Sequence, residues 1–513
     1  MMKNSPQRPS RPRARRNWAL SCALLLALAG GSAAALAAPA DPAAHAGQVQ
    51  VWLSTADHSK LLHHEAALPF GAAAPAMTTI EVDPATRYQD MVGFGAAITD
   101  SSAWLIQNKM NPAQRTALMH ELFDVSGGLG LSFTRLSVGG SDFSLSHYSL
   151  DDMPPGQSDP TLAHFSIAAN RADVIPVTQA ALAINPQLRI LASPWSAPAW
   201  MKSNDQLVQG SLKPEAYPVF AEYLRRYIEA YKAEGIPIYA LTLQNEPHYE
   251  PKNYPGMRVD SAARAAFIGG YLGPLLARHD PEVRILEWDH NWEEPQAPST
   301  VLADPAAAQY TSGVAWHCYL GDPKAQSVVH DAHPDKDVYM TECSPLRRAW
   351  FTTCQQQGGQ CPAGLDAIAW ADTLDYFVRT EIIATTRNWA RGVLLWNLVL
   401  DENHGPHAGG CDVCRGVVTL DTHSGKVTRG VEYYALAHAS RFVRQGAVRV
   451  ASGSDQLGLE TVAFQNADDH SLVLIVTNSA QRERRFAVHA NGRSFNYALA
   501  AGSVATFTWN AAH

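Results

Sequence analysis

The sequence predicts an α/β fold, a (β/α)8 TIM barrel with an attached antiparallel β-sandwich built from both ends of the chain. Three observations predict it. Eight short apolar runs, each suited to a buried strand, alternate with stretches of helical spacing through the middle of the 513 residues. Runs of period two lie outside that region, at both ends of the chain. Two of the eight apolar runs stop in a glutamate, at the strand end where barrels build their active sites.

Taken in order, residues 1–38 read as a secretory signal. Lys3, Arg8, Arg11, Arg13, Arg15 and Arg16 precede an Ala- and Leu-rich run that closes on Ala35-Leu36-Ala37, an A-x-A cleavage pattern. A membrane anchor is the competing reading, and the small residues at the end of the run favour cleavage. Residues 39–46 form a linker. Residues 47–86 hold two alternating runs, 48–54 and 78–82, which have no partners of their own and are expected to join the C-terminal sheet. Residues 87–443 are the expected barrel, with strands at 92–98, 133–138, 189–194, 238–244, 283–288, 314–319, 338–341 and 392–400. Helical spacing fills the gaps at 112–122, 175–184, 214–234, 262–279 and 365–385. A doubly wound open sheet is the structural alternative, but no glycine-rich phosphate turn follows the first strand. Residues 444–513 return to period two and complete the sandwich.

Charge and cysteine usage narrow the function. The chain carries a net charge of −8, which becomes −14 once the six basic residues of the signal are removed. Nucleic acid and anionic membranes are bound mainly through Lys and Arg, so neither is an expected partner. No stretch beyond the signal is long and apolar enough to span a bilayer. The mature chain is expected in the periplasm or outside the cell, and nothing in the sequence fixes an oligomeric state.

Chemistry enters at the strand ends. Ile238-Tyr239-Ala240-Leu241-Thr242-Leu243-Gln244 is an apolar run that breaks off in Asn245-Glu246-Pro247, where proline can donate no further ladder hydrogen bond. Glu246 thus ends strand four, and Glu342 ends strand seven. Either glutamate alone reads equally well as a solvated carboxylate. Together, reached from different strands at one face, they can bracket a glycosidic bond. One carboxyl would protonate the leaving oxygen and the other would meet the oxocarbenium-like centre.

These residues sit within a longer resemblance. Val92-Gly93-Phe94-Gly95-Ala96-Ala97-Ile98-Thr99-Asp100, Ser141-Asp142-Phe143-Ser144, Leu191-Ala192-Ser193-Pro194-Trp195-Ser196, Asn245-Glu246-Pro247, His317-Cys318-Tyr319-Leu320, Glu342 and Trp396-Asn397-Leu398 follow one another as in glycoside hydrolase family 30. Within that family the chain resembles the glucosylceramidases of the acid β-glucosidase type. The resemblance implies a retaining β-glucosidase acting on a glycolipid or β-glucan without cofactor or metal. It makes Glu246 the acid/base and Glu342 the nucleophile, and puts Asn245 on the sugar 2-hydroxyl. Asp142 and Trp195 would hold the distal hydroxyls, His317 and Tyr319 would flank the carboxylates, and Trp396 would be a platform for a sugar face. Arg135 would hold Glu342 charged. An endo-β-1,6-glucanase shares the same pattern, and a carbohydrate-binding barrel without activity is the non-enzymatic alternative. Asp100, after a strand and before a helical run, is expected to cap that helix.

Six cysteines follow the signal. His404, His407, Cys411 and Cys414 share one loop and have the makeup of a zinc site, but an exported chain favours a Cys411–Cys414 disulfide. Cys354 and Cys361 flank a glutamine- and glycine-rich loop that they would close. Cys318 and Cys343 each follow an inward residue, so both are expected to point outward, either paired or as buried thiols.

Overall fold

The computed structural model describes residues 47–72, 78–344, 374–453 and 457–510. The signal, the linker and the loop bearing Cys354 and Cys361 lie outside the described residues. Eight parallel strands form the barrel: β1 (Gly93–Ala97), β2 (Phe133–Val138), β3 (Arg189–Pro194), β4 (Ala240–Thr242), β5 (Arg284–Asn291), β6 (Thr311–His317), β7 (Asp337–Glu342) and β8 (Ala390–Asp401). Strand β8 pairs with both β7 and β1, so the sheet closes and the open doubly wound alternative is ruled out.

Period-two alternation turns the strands into layers. Phe133, Leu191, Ala240, Leu286, Ala315, Tyr339 and Leu394 point inward and pack as one apolar layer. Burying each of the larger of these side chains contributes about 1.5–3 kcal/mol. Two residues further along their strands stand Arg135, Ser193, Thr242, His317, Thr341 and Trp396, which form a polar layer nearer the carboxyl ends. The apolar layer is the barrel's plug, and the polar layer is the floor of the site.

Several helices start where the sequence supplies a cap. Asn111 accepts from the Gln114 backbone while the Gln114 side chain accepts from the Asn111 backbone, and Pro112 opens the first turn of the helix Pro112–Phe123. The helix Asp100–Asn108 is capped by Thr99, which accepts from Ser102 N, and not by Asp100 as expected. Asp100 instead accepts from the Tyr148 hydroxyl at 2.8 Å.

The second sheet has ten strands drawn from both chain ends. Gln48–Ser54 pairs with Val504–Asn510, and Thr78–Asp90 lies between Val448–Ser452 and Arg484–Ala490. That last pairing is parallel, so the sheet is mixed rather than wholly antiparallel. One strand, Arg493–Leu499, was not foreseen: it is an edge strand whose few buried positions interrupt the alternation. Val51, Leu474, Val488, Phe495 and Phe507 lie in the core of this sheet. The sheet meets the barrel through the helix Val431–Ser440, where buried His438 bonds Ser54 and Thr506 at 2.8 and 2.9 Å. No helix among the described residues is long and apolar enough to cross a membrane.

Candidate active site

The polar layer is organised by a residue that alternation does not mark. On β5, period two after Leu286 points Trp288 inward. Trp288 and Asp289 both have left-handed backbones, with φ of 76° and 58°, and this reverses the phase so that Asp289 enters the barrel. Its Oδ2 accepts from Arg135 Nη2 at 2.7 Å, Ser193 Oγ at 2.6 Å and Thr242 Oγ1 at 2.8 Å. Its Oδ1 accepts from Thr341 Oγ1 at 2.7 Å and meets His317 Nε2 at 3.0 Å. Burial raises this carboxyl, and Arg135 and His317 overcome that and hold it far below the usual range. One buried carboxylate thus ties β2, β3, β4, β6 and β7 together.

Arg135 passes this order upward. It donates to Asn245 Oδ1 at 2.7 Å and makes an ion pair with Glu342 Oε2. Tyr319 donates to Glu342 Oε1 at 2.8 Å. Burial and the charges of Glu342 and Glu246 push the Tyr319 phenol well up, so it remains a donor. Glu342 therefore receives a hydrogen bond on each oxygen, which fixes its orientation toward the cavity.

Glu246 faces it from the loop after β4, with a left-handed backbone at φ 49°. Its Oε1 lies 3.2 Å from His317 Nδ1 and 3.5 Å from His290 Nδ1. Burial pushes this carboxyl up, and His290 and His317 outweigh it, leaving it low. Burial pulls His317 down, but Glu342, Asp289 and Glu246 prevail and raise it to about 9. The two shifts run in the direction of a proton on His317, between Glu246 and Asp289. Glu246 is the more open of the two glutamates, with 14% of its side chain exposed against 7% for Glu342.

Above these groups lies a cavity of about 320 Å³ lined in part by Asp142, Glu246, Tyr319, Glu342 and Trp396. Asn245, His317, Arg135 and Trp195 stand behind that surface as its support. Trp195 stacks on Trp396 with ring centres 5.0 Å apart, and the Arg135 guanidinium lies 4.7 Å from the Trp195 ring centre. The Trp396 indole donates to Asp142 at 3.4 Å. Burial and the charges of Glu342 and Glu246 raise Asp142 to about 8, so it is a carboxylic acid at neutral pH that can both donate to and accept from a hydroxyl.

The loop after β8 completes the wall. Cys411 and Cys414 form a disulfide that lines the cavity, so those sulfurs are not thiolate ligands for the zinc site considered above. Gly410 sits against Asp142, where an added Cβ would lie 2.5 Å from the Asp142 Cβ. Cys318 and Cys343 are also disulfide-bonded. Cys318 lines the cavity rather than pointing outward, because β6 ends at His317 and the alternation ends with it. Glu246, His290 and His317 present ligand atoms within 4.8 Å of one another, the makeup of a metal site, although both His317 nitrogens already engage carboxylates.

Asp289, His290, Tyr249, Asn253 and Tyr254 were not anticipated. The signal for the first two was present in Asp289-His290-Asn291, three polar residues that end strand β5.

A parallel barrel with paired glutamates above a polar floor, beside an indole-walled cavity, is the architecture of a barrel glycosidase. Comparison with known proteins makes this specific. The model of the glycosyl hydrolase family 30 TIM-barrel domain matches residues 91–443, and that of the family 30 β-sandwich domain matches 446–507. The chain belongs to glycoside hydrolase family 30 and is a glycoside hydrolase. It is 34% identical to an endo-1,6-β-D-glucanase of Neurospora crassa, over 91% of this chain and 96% of that one. The solved structure of an endo-β-1,6-glucanase superimposes with a TM-score of 0.80 at 32% identity, covering 90% of this chain and 99% of that one. The mouse lysosomal acid glucosylceramidase is 27% identical over 78% of each chain.

Proposed function

We propose that this protein is a retaining β-glycosidase that cleaves β-1,6-linked glucan, with Glu342 as nucleophile and Glu246 as acid/base. The observation that carries the mechanism is that both carboxylates meet one imidazole. His317 Nδ1 lies 3.2 Å from Glu246 and 4.0 Å from Glu342. Those distances admit the ~5–5.5 Å spacing of a retaining pair, and membership of family 30 supports that reading. Glu342, doubly hydrogen-bonded and buried, attacks the anomeric carbon. Glu246 and His317 hold one transferable proton between them, and the more open Glu246 passes it to the departing oxygen. Water then enters, Glu246 takes its proton, and the product keeps its configuration. Asp142 would grip the sugar's distal hydroxyls against the face of Trp396, with Trp195 backing that ring.

The substrate reading moves from glucosylceramide, which the motifs first suggested, to β-1,6-glucan, because the glucanase relatives share more identity over more of the chain. Release of a terminal glucose from glucosylceramide is the second reading. The cavity's size favours it, since about 320 Å³ suits one sugar better than an extended chain. Two disulfides beside the site fit an exported protein. The test is to incubate the protein with β-1,6-glucan and with glucosylceramide and to size the products. Short gluco-oligosaccharides from the glucan support the proposal; glucose from glucosylceramide, with the glucan left intact, supports the second reading.

A further inference from the structure

Lys202 takes no part in the chemistry above, yet it is fully buried. Burying an ammonium costs several kcal/mol unless its protons are donated. Here all three are: to Ser196 Oγ at 2.8 Å, Leu207 O at 2.7 Å and Gly256 O at 2.8 Å. Ser196 and Leu207 belong to the loop after β3, and Gly256 to the loop after β4. The amine therefore joins two loops that both border the site.

The loop after β4 carries Glu246 and supplies Tyr249, Asn253 and Tyr254 to the cavity wall. It has no helix or strand of its own. Its base is held by Val259 N donating to Pro247 O at 2.8 Å and by His248 bonded to Glu294 at 3.0 Å, and its far part is held to the loop after β3 by Lys202, by Gly256 N donating to Leu207 O at 3.0 Å and by Arg258 N donating to Gly210 O at 2.8 Å. Gly256 packs against the Pro251 ring, where an added Cβ would lie 2.4 Å away, so the loop is folded tightly around the point that Lys202 grips. On the far side, Gly409 of the loop after β8 lies so close to Asn253 that an added Cβ would fall 2.1 Å from its carbonyl oxygen.

We propose that Lys202 is a positioning residue for the leaving-group side of the cavity, fixing residues 247–258 so that Tyr249, Asn253 and Tyr254 form the wall against which the departing sugar rests. This rests on Glu246 being the proton donor, because that assignment makes its own loop the leaving-group side. The grip needs the charged amine: an ammonium has three N–H groups for three acceptors, and a neutral amine has two. Burial lowers Lys202 to about 7, against a smaller upward pull from Glu250. Glu250 acts from the leaving-group loop, which also carries Lys252 and Arg258; on the Lys202 loop, Asp205 is paired with Lys213 at 2.9 Å.

The experiment compares wild type with Lys202→Met on a β-1,6-gluco-oligosaccharide and on an activated aryl β-glucoside, whose leaving group makes little use of that wall. The variant is expected to raise KM for the oligosaccharide by about tenfold or more, the scale of a lost charge-assisted hydrogen bond, and to keep kcat/KM for the aryl glucoside within about twofold. In wild type the oligosaccharide KM should climb as pH rises through about 7, whereas the variant's KM should start high and lack that step, keeping only the rise near 8 that both proteins share through Asp142. An unchanged oligosaccharide KM, or an equal loss on both substrates in a variant that melts normally, overturns the proposal. Ser196→Ala removes one acceptor and keeps the amine. It should show the same split at smaller size, and it decides the matter if the methionine variant does not fold. If wild type turns over glucosylceramide instead of the glucan, the split is read on that substrate, so the two readings fail separately.

Discussion

Glu246 and Glu342 have the same functional group, and their neighbours give them different work. Glu342 is held by Arg135 and Tyr319, both donors. Glu246 meets two imidazoles, and the carboxylates around one of them, His317, raise it to about 9. The roles separate in a variant. Glu246→Gln is expected to lower kcat/KM for a gluco-oligosaccharide by ~10²–10⁴, the usual contribution of a positioned acid. It should change kcat/KM for an activated aryl glucoside by less than about tenfold, because that leaving group needs no proton. Steady-state kinetics on the two substrates checks this, and equal losses would assign the proton elsewhere. These glutamates were legible in the sequence because each ends an apolar run. Asp142, Trp195, His317, Tyr319 and Trp396 were singled out through the family pattern, and the structure brings their side chains to one cavity or directly behind it.

Strand β5 shows where a sequence pattern stops being informative. Alternation is a property of extended backbone, and two consecutive left-handed residues, Trp288 and Asp289, break it. The expected strand ended at residue 288, one short of the carboxylate that joins five of its seven partner strands. The Cys318 expectation failed for a related reason, since its strand stops at His317. Asp289→Asn keeps the shape and removes the charge beside Arg135 and His317. It should destabilise the fold by about 3–5 kcal/mol, as breaking a buried ion pair does, and lower kcat more than it raises KM. Chemical denaturation and kinetics on the same sample check both parts.

Across the whole molecule, the second sheet locks the two chain ends onto the barrel. That the N-terminal strands join the C-terminal sheet was legible because no alternating run of comparable length lay beside them; the two-residue strands His63–His64 and Leu68–Pro69 that also pair with Gln48–Ser54 are too short to leave a pattern. The parallel pairing of Thr78–Asp90 with Arg484–Ala490 was not, since it joins segments some 400 residues apart and leaves no local mark. The substrate's leaving group was equally hard to read, because it is set by loops whose shape follows from contacts such as that of Lys202 rather than from periodicity. His438 connects the barrel's last helix to that sheet through Ser54 and Thr506. Burial holds it down to about 3, so it stays neutral in the folded protein, while an unfolded histidine takes up a proton below about 6.5. The unfolded state then binds more protons between those values, so the stability His438 contributes is complete above about 6.5 and is lost as pH falls toward about 3. His438→Gln should cost about 1–3 kcal/mol at neutral pH and flatten this acid slope without altering KM, as thermal unfolding across that pH range would reveal.

Retention through Glu342 requires a covalent bond between the sugar and that carboxylate. A 2-fluoro-substituted β-glucoside with a good leaving group slows hydrolysis of the glycosyl-enzyme, so the intermediate accumulates and peptide mass mapping can locate it. The predicted result is one added fluoroglucosyl mass, stoichiometric with enzyme, on the peptide containing Glu342 and absent in Glu342→Gln. A label on Glu246, or full turnover of the natural substrate with inverted product and no label, would contradict it.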